Sequence, residues 1–364
     1  MTASKGAKAQ SANEARAPAA QPAAKSSANS GKAINLALQG GGSHGAFAWG
    51  VIDRLLEHGE IDVEVIVGTS AGAMNAAVTA YGLAVGGREG ARETLRAFWR
   101  KTSDAARLSP MQPTFLDKLQ GRGSMDTSPG WLFMDAISKI FSPYQLNPFN
   151  LNPLRDTLLE VVDFDRLRHG NVKLYICATN VLTGKIKVFE PSEMSIDAVM
   201  ASACLPFMFQ AVEVNGEHYW DGGYMGNPPL YPIIYNAVSR DILIVQLNPI
   251  KIPEVPTQAT QILDRINTLS FNSSLMREMR AISFVTNLIE KGFDDNGRLK
   301  RVHIHTIDAE DVVCRLGVSS KLNADWDFLS DLHELGRQRC EQFLTDHYDK
   351  IGKQSSTDIE AKFL

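Results

Sequence analysis

A serine flanked by glycines, Gly68-Thr69-Ser70-Ala71-Gly72, follows the strand-like run Val63–Val67 and opens a stretch of small, helix-compatible residues. That order describes a nucleophile elbow, a strand-to-helix turn sharp enough to lift a serine hydroxyl out of the backbone. A Cβ at position 68 or 72 would strike the neighbouring strand or helix. Upstream, the strand-like Ile34–Leu38 runs into Gly40-Gly41-Gly42-Ser43-His44-Gly45. Backbone N–H groups at such a glycine turn and helix start are suited to hold a developing oxyanion. Gly41 and Gly42 are the foremost donors, Ser43 is next, and Gly40 belongs to the same cradle. Far downstream, Tyr219-Trp220 leads into Asp221-Gly222-Gly223, a carboxylate at a tight turn. Nucleophile, anion cradle and base for acyl transfer are all available.

Two other chemistries compete for these residues. Gly40 to Gly45 also fits Gly-x-Gly-x-x-Gly, the dinucleotide-binding fingerprint, which needs an acidic residue near the end of the second strand. That strand end is Gly68-Thr69-Ser70, and Glu64 lies mid-strand, so no ribose partner stands in place. A Ser-His-Asp hydrolase would draw its histidine from His303 or His305. In that fold the oxyanion glycines lie far ahead of the elbow on another strand, whereas here both fall within one βαβ unit. The two histidines alternate on one predicted strand and read as structural.

The three segments, in this order, resemble the patatin-like phospholipase family. Its pattern is a Gly-Gly-Gly-x-Arg/Lys-Gly loop, a Gly-x-Ser-x-Gly elbow and an Asp-Gly-Gly/Ala turn. The resemblance spans roughly residues 34 to 235 and takes in Ala201-Ser202-Ala203-Cys204-Leu205-Pro206 ahead of the aspartate. It implies a three-layer α/β/α domain around a mixed, largely parallel sheet. It also implies a Ser-Asp dyad in which Asp221 contacts Ser70 directly, with no metal or organic cofactor. A carboxylate with an unperturbed pKa of about 3.9 is a weak base, so burial and oxyanion stabilisation must make up the difference. The implied substrate is a lipid ester, a glycerophospholipid or a neutral acyl ester, and an aliphatic storage polyester lies within the same chemistry. The departure is His44, where the family most often has Arg or Lys. A surface histidine at a helix start is its ordinary reading, and a contact to a substrate phosphate or carboxylate is the functional one. The change also motivates an alternative in which the chain is a non-catalytic lipid-binding or scaffolding protein.

The elements that must position these residues are legible from periodicity. Strands are predicted at 34–38, 63–67, 172–179, 185–189, 210–214, 217–220, 242–247 and 301–307. Helices are predicted at about 44–58, from Ala71 to about Tyr81, at 131–140, 257–291 and 326–349. Residues 33–247 are read as the catalytic domain and 248–364 as a mainly helical C-terminal region. The Pro-rich segment 104–153, with its scattered apolar side chains, is expected to cover a core, or else to form a lid or lipid-docking surface.

Residues 1–32, rich in Ala, Ser and Lys, carry too few apolar side chains to offset their ordering entropy and are expected to be a disordered tail. The tail is basic, and the whole chain has a net charge of −4 and a pI near 6.1, which excludes nonspecific nucleic-acid binding. The four cysteines stand far apart with no Cys-x-x-Cys and no histidine at ligand spacing, so no zinc site or disulfide framework is implied. Without a signal-peptide apolar region or a run of about 18 to 20 apolar residues, the expected setting is cytoplasmic, with transient contact at a membrane surface.

Overall fold

The computed structural model describes residues 31–107, 109, 111–119, 123–293 and 298–364. The expected tail, up to residue 30, and positions 108, 110 and 120–122 of the Pro-rich segment lie outside the described residues. Eight strands form one sheet: β1 Lys32–Leu38, β2 Ile61–Thr69, β3 Lys173–Asn180, β4 Ile186–Phe189, β5 Val212–Val214, β6 Glu217–Asp221, β7 Asp241–Gln246 and β8 His303–Asp308. Their order is β5-β6-β3-β2-β1-β7-β8, with β4 also paired to β3. The neighbours among β3, β2, β1, β7 and β8 are parallel, whereas β3–β4, β3–β6 and β5–β6 are antiparallel.

The central strands are apolar on both faces, as a parallel sheet covered by helices requires. Alternate residues of β1 and β7 feed two separate cores. Leu36, Leu38, Leu243 and Val245 join the larger one, and Ala37, Ile242 and Ile244 the smaller. The larger core is closed by α1 (Gly45–His58), by α2 (Ala71–Ala106) and by the C-terminal helix Trp326–His347. The smaller is closed by Leu275, Met279 and Ile282 of the helix Ala259–Glu290. The result is the expected three-layer α/β/α arrangement.

Helix α2 runs beyond Tyr81 as two segments that meet at Gly87 (φ 62°, ψ −150°), a conformation glycine adopts without a steric penalty. The region after residue 247 is built into the same compact unit, Gly31–Leu364. Strand β8 extends the sheet, and Trp326–His347 packs on α1 through a reciprocal pair of glycines. A Cβ on Gly50 would lie 1.9 Å from the His333 carbonyl oxygen, and one on Gly336 would lie 2.1 Å from that of Phe47.

Candidate active site

Parallel strands place ligand sites beyond their carboxyl ends, and the sequence motifs gather there. β1 and β2 are adjacent and in register, with Leu38 opposite Gly68, so the glycine loop after β1 and the elbow after β2 emerge side by side. Ser70 has φ 56° and ψ −123°, a strained conformation for a residue with a side chain. The surroundings enforce it. A Cβ on Gly68 would sit 2.4 Å from the Gly72 carbonyl oxygen, and one on Gly72 would sit 2.2 Å from that of Leu38. The Ser70 N–H donates to Ser202 Oγ at 2.9 Å, and Ser70 stands at the positive end of α2.

The glycine loop passes directly over the serine. A Cβ on Gly40 would fall 2.6 Å from Ser70 Cβ, which requires glycine there. The N–H groups of Gly41, Gly42 and Ser43 make no hydrogen bond among the described residues. Gly40 differs from them: its N–H donates to Asn227 Oδ1 at 2.7 Å, which corrects its inclusion among the oxyanion donors. It shapes the turn instead.

Asp221 ends β6 and pairs with Ala178 of β3, one residue beyond the Cys177 that faces Thr69 of β2. The turn after it lies against the elbow, since a Cβ on Gly222 would approach Thr69 Cγ2 to 3.1 Å. The carboxyl is fully buried, and burial pushes its pKa up from 3.8 to about 7, against the lowering influence of the Ser70 hydroxyl and the Gly223 N–H. Oδ1 accepts from Gly223 N–H at 2.7 Å. Oδ2 has no hydrogen-bond partner among the described residues. Serine and aspartate are thus near enough to influence one another, without a formed hydrogen bond between them among the described residues.

His44 corrects the sequence reading. Its ring is 2% exposed, and its Nε2 meets Ser320 Oγ at 2.8 Å. Ser320 Oγ donates to the Gly317 carbonyl at 2.6 Å, so the imidazole is the donor in the His44–Ser320 bond. Burial, helped by Lys321, lowers the His44 pKa to about 3. The ring is neutral and internal, and it pins the glycine loop to the segment 317–322 rather than presenting a cation to a headgroup.

His303 and His305 lie at the opposite edge of the sheet. Both meet Asp241 Oδ1, at 3.3 and 3.0 Å, at the amino ends of β7 and β8. They stand apart from Ser70, as a structural role requires.

Sequence reasoning passed over Gln39, Asn227, Asn248 and Asn272, buried amides that surround Gly40. The available signal was their placing: Gln39 directly follows β1, Asn248 lies two residues past β7, and Asn227 lies three residues past the turn Gly222–Tyr224. The 104–153 segment meets the core-covering expectation only in part: Met125 is fully buried, but the stretch after it is open. Leu132, Phe133, Ile140, Tyr144 and Phe149 are exposed. Among the described residues no helix is long and apolar enough to cross a membrane, and no cluster of His, Cys, Asp and Glu is arranged to hold a metal ion.

A serine elbow beside a glycine loop at the carboxyl edge of such a sheet defines an α/β protein of the acyl-hydrolase type. Residues 36–234 match the family model described as patatin-like phospholipase, and the chain belongs to that family. Membership implies a lipid acyl hydrolase. Among solved structures, the chain is similar to VipD from Legionella pneumophila, with 15% identity and a TM-score of 0.43 over 92% of this chain and 72% of that one. It is also similar to the type III effector protein ExoU, with 14% identity and a TM-score of 0.30 over 86% of this chain and 53% of that one. No curated protein matches.

Proposed function

We propose that the protein is a serine hydrolase of lipid carboxylic esters, working through Ser70 and Asp221. The observation that carries this reading is the juxtaposition of a strained Ser70, three uncommitted N–H groups at Gly41, Gly42 and Ser43, and a buried carboxyl whose pKa is raised to about 7. A carboxylate with its pKa near the working pH is a far better base than an ordinary aspartate. Asp221 takes the Ser70 proton as Oγ attacks the ester carbonyl, and the three N–H groups hold the tetrahedral oxyanion. Asp221 returns the proton to the departing alcohol, leaving an acyl-serine. Water, deprotonated by the same carboxylate, attacks the acyl carbon, and the carboxylic acid leaves as Ser70 recovers its proton.

The lipid character of the substrate is supported by an apolar surface on the segment 129–152. Between residues 129 and 152 the only charged side chains are Asp135 and Lys139, which pair with each other at 2.6 Å. This segment is tied to the approach to Asp221: the Asn147 carbonyl accepts from Gln210 Nε2 at 2.7 Å, Cys204 Sγ donates to the Gln210 carbonyl at 3.1 Å, and the Cys204 carbonyl accepts from Asp221 N–H at 2.8 Å. A neutral apolar surface tied through these bonds to the segment that carries Asp221 suits an acyl chain delivered from a lipid interface.

The test is Ser70→Ala. Turnover of a medium-chain ester and labelling by a fluorophosphonate probe are both expected to vanish, with a fall of about 10⁴-fold or more in kcat. More than a few per cent residual turnover in a purified, folded variant would sink the mechanism. Absence of any labelling in the unmodified protein would favour a binding or scaffolding role instead.

A further inference from the structure

Gly40 has both of its backbone polar groups taken by side chains from far along the chain. Its N–H donates to Asn227 Oδ1 at 2.7 Å, and its carbonyl accepts from Asn248 Nδ2 at 2.7 Å. Gln39 joins the two: its Nε2 donates to the Asn227 carbonyl at 3.1 Å, and its Oε1 accepts from the N–H groups of Leu247 and Asn248 at 2.9 and 3.0 Å. Asn272, on the helix Ala259–Glu290, closes the cluster from behind. Its Oδ1 meets Gln39 Nε2 at 3.4 Å, and its Nδ2 donates to the Pro249 carbonyl at 3.2 Å.

All four amides are buried. Amides in a core are costly unless satisfied, and Asn227 Nδ2 finds no partner among the described residues. The orientation of that side chain is fixed all the same, since an N–H arriving from Gly40 must meet the oxygen. A polar cluster with an orphaned donor is a poor device for stability alone. Its position suggests another task. Three consecutive glycines have wide conformational freedom, yet an oxyanion cradle stabilises charge well only if its donors are already aimed and need no reorganisation.

We propose that Asn227 and Asn248 are positioning residues for the oxyanion loop. By fixing both ends of the hydrogen-bonding capacity of Gly40, they set the course of the chain so that the next three N–H groups stay unpaired beside Ser70. Asn227 belongs to the turn that begins at Asp221, held by the Gly226 N–H bond to the Gly222 carbonyl at 2.8 Å. One turn therefore carries the base at its start and the clamp on the oxyanion loop at its end, which keeps the two halves of the site in register. The inference rests on the hydrolase reading above.

The experiment uses the full chain with Asn227→Ala, Asn248→Ala and the double variant, each checked for folding by circular dichroism and thermal melting. With p-nitrophenyl butyrate, kcat is expected to fall about 10- to 100-fold in each single variant with KM within about threefold, the signature of lost transition-state stabilisation. The double variant should fall little further than the worse single one, because both side chains hold one residue. Affinity for a trifluoromethyl ketone analogue should drop in proportion to kcat/KM, and the pH midpoint of kcat/KM should not move. Should Asn227→Ala fail to fold, Asn248→Ala reads the other end of the same clamp. A kcat within threefold of the unmodified protein in a folded variant would overturn the inference, as would a fall carried by KM or accompanied by a shifted pH midpoint. Absence of Ser70-dependent turnover in the unmodified protein would overturn the hydrolase reading itself, and this inference with it.

Discussion

Asp221→Asn should disable the enzyme and stabilise it in the same pH range. The folded state holds the Asp221 carboxyl at a pKa of about 7, against an ordinary 3.8, with burial as the largest cause. A carboxyl whose folded pKa is raised is protonated in both states below about pH 4, so no stability is lost there. From about 4 upward the unfolded chain ionises while the folded one does not, and stability declines with pH until the folded carboxyl ionises near 7. The difference between 3.8 and about 7 corresponds to about 4 kcal/mol lost by the folded state above neutrality.

Asparagine keeps an oxygen for the Gly223 N–H and cannot ionise. Denaturant unfolding of the two proteins should therefore coincide near pH 4 and separate to about 4 kcal/mol by pH 8.5, or roughly 5–10 °C in Tm. Glu278, whose pKa burial raises to about 7 in the same window, is common to both proteins and cancels in the comparison. Activity runs the other way. On the mechanism proposed above the carboxylate is the active form, so kcat/KM of the unmodified protein should rise with pH to a plateau with its midpoint near 7, and the variant should be nearly as inactive as Ser70→Ala. A stability gap that does not change with pH, or a rising limb centred near 4, would refute the reasoning.

Further outcomes follow from the corrected placing of the histidines and from the exposed apolar surface. His44→Arg would put a guanidinium where the ring is 2% exposed and bonded to Ser320. It should destabilise the fold by about 3–5 kcal/mol in denaturant unfolding, whereas improved phospholipid turnover in a stable variant would restore a headgroup role. His305→Ala removes a ring bonded to Asp241 and Ser356 and should cost about 1–3 kcal/mol of stability with kcat within twofold. A folded but inactive variant would transfer the base role to histidine. Phe149→Ser and Phe207→Ser, at 85% and 71% exposed positions, should each weaken sedimentation with neutral phosphatidylcholine vesicles at least about tenfold and independently of salt. Unchanged binding, or binding abolished by salt, would assign these side chains no part in lipid contact.

What the sequence could and could not disclose follows the distance over which each feature is encoded. The elbow is local: Gly68 and Gly72 are required by contacts within one strand-turn-helix and against the strand beside it, so five residues announce it. The eight strands are legible for the same reason, each being a short apolar or alternating run between breakers. His44 is the opposite case. Its character depends on Ser320, 276 residues away, and on a segment that lies outside the family match, so at the start of a helix it reads as a surface residue until the fold buries it. The Gly40 turn fails the same test of locality. A run of three glycines signals an anion cradle, yet which of its N–H groups remain free is decided by Asn227 and Asn248, 187 and 208 residues on. The exposed apolar segment fails for a different reason. Composition gives the number of large side chains but not which face they take, and a chain built to meet lipid has the same composition there as one built to cover a core. Motif residues name the chemistry, then, while the residues that aim it are polar, buried and remote in sequence. A search for the remaining determinants of this site should begin at amides and hydroxyls within two residues of the carboxyl ends of buried strands, where Gln39, Ser70 and Asn248 all stand.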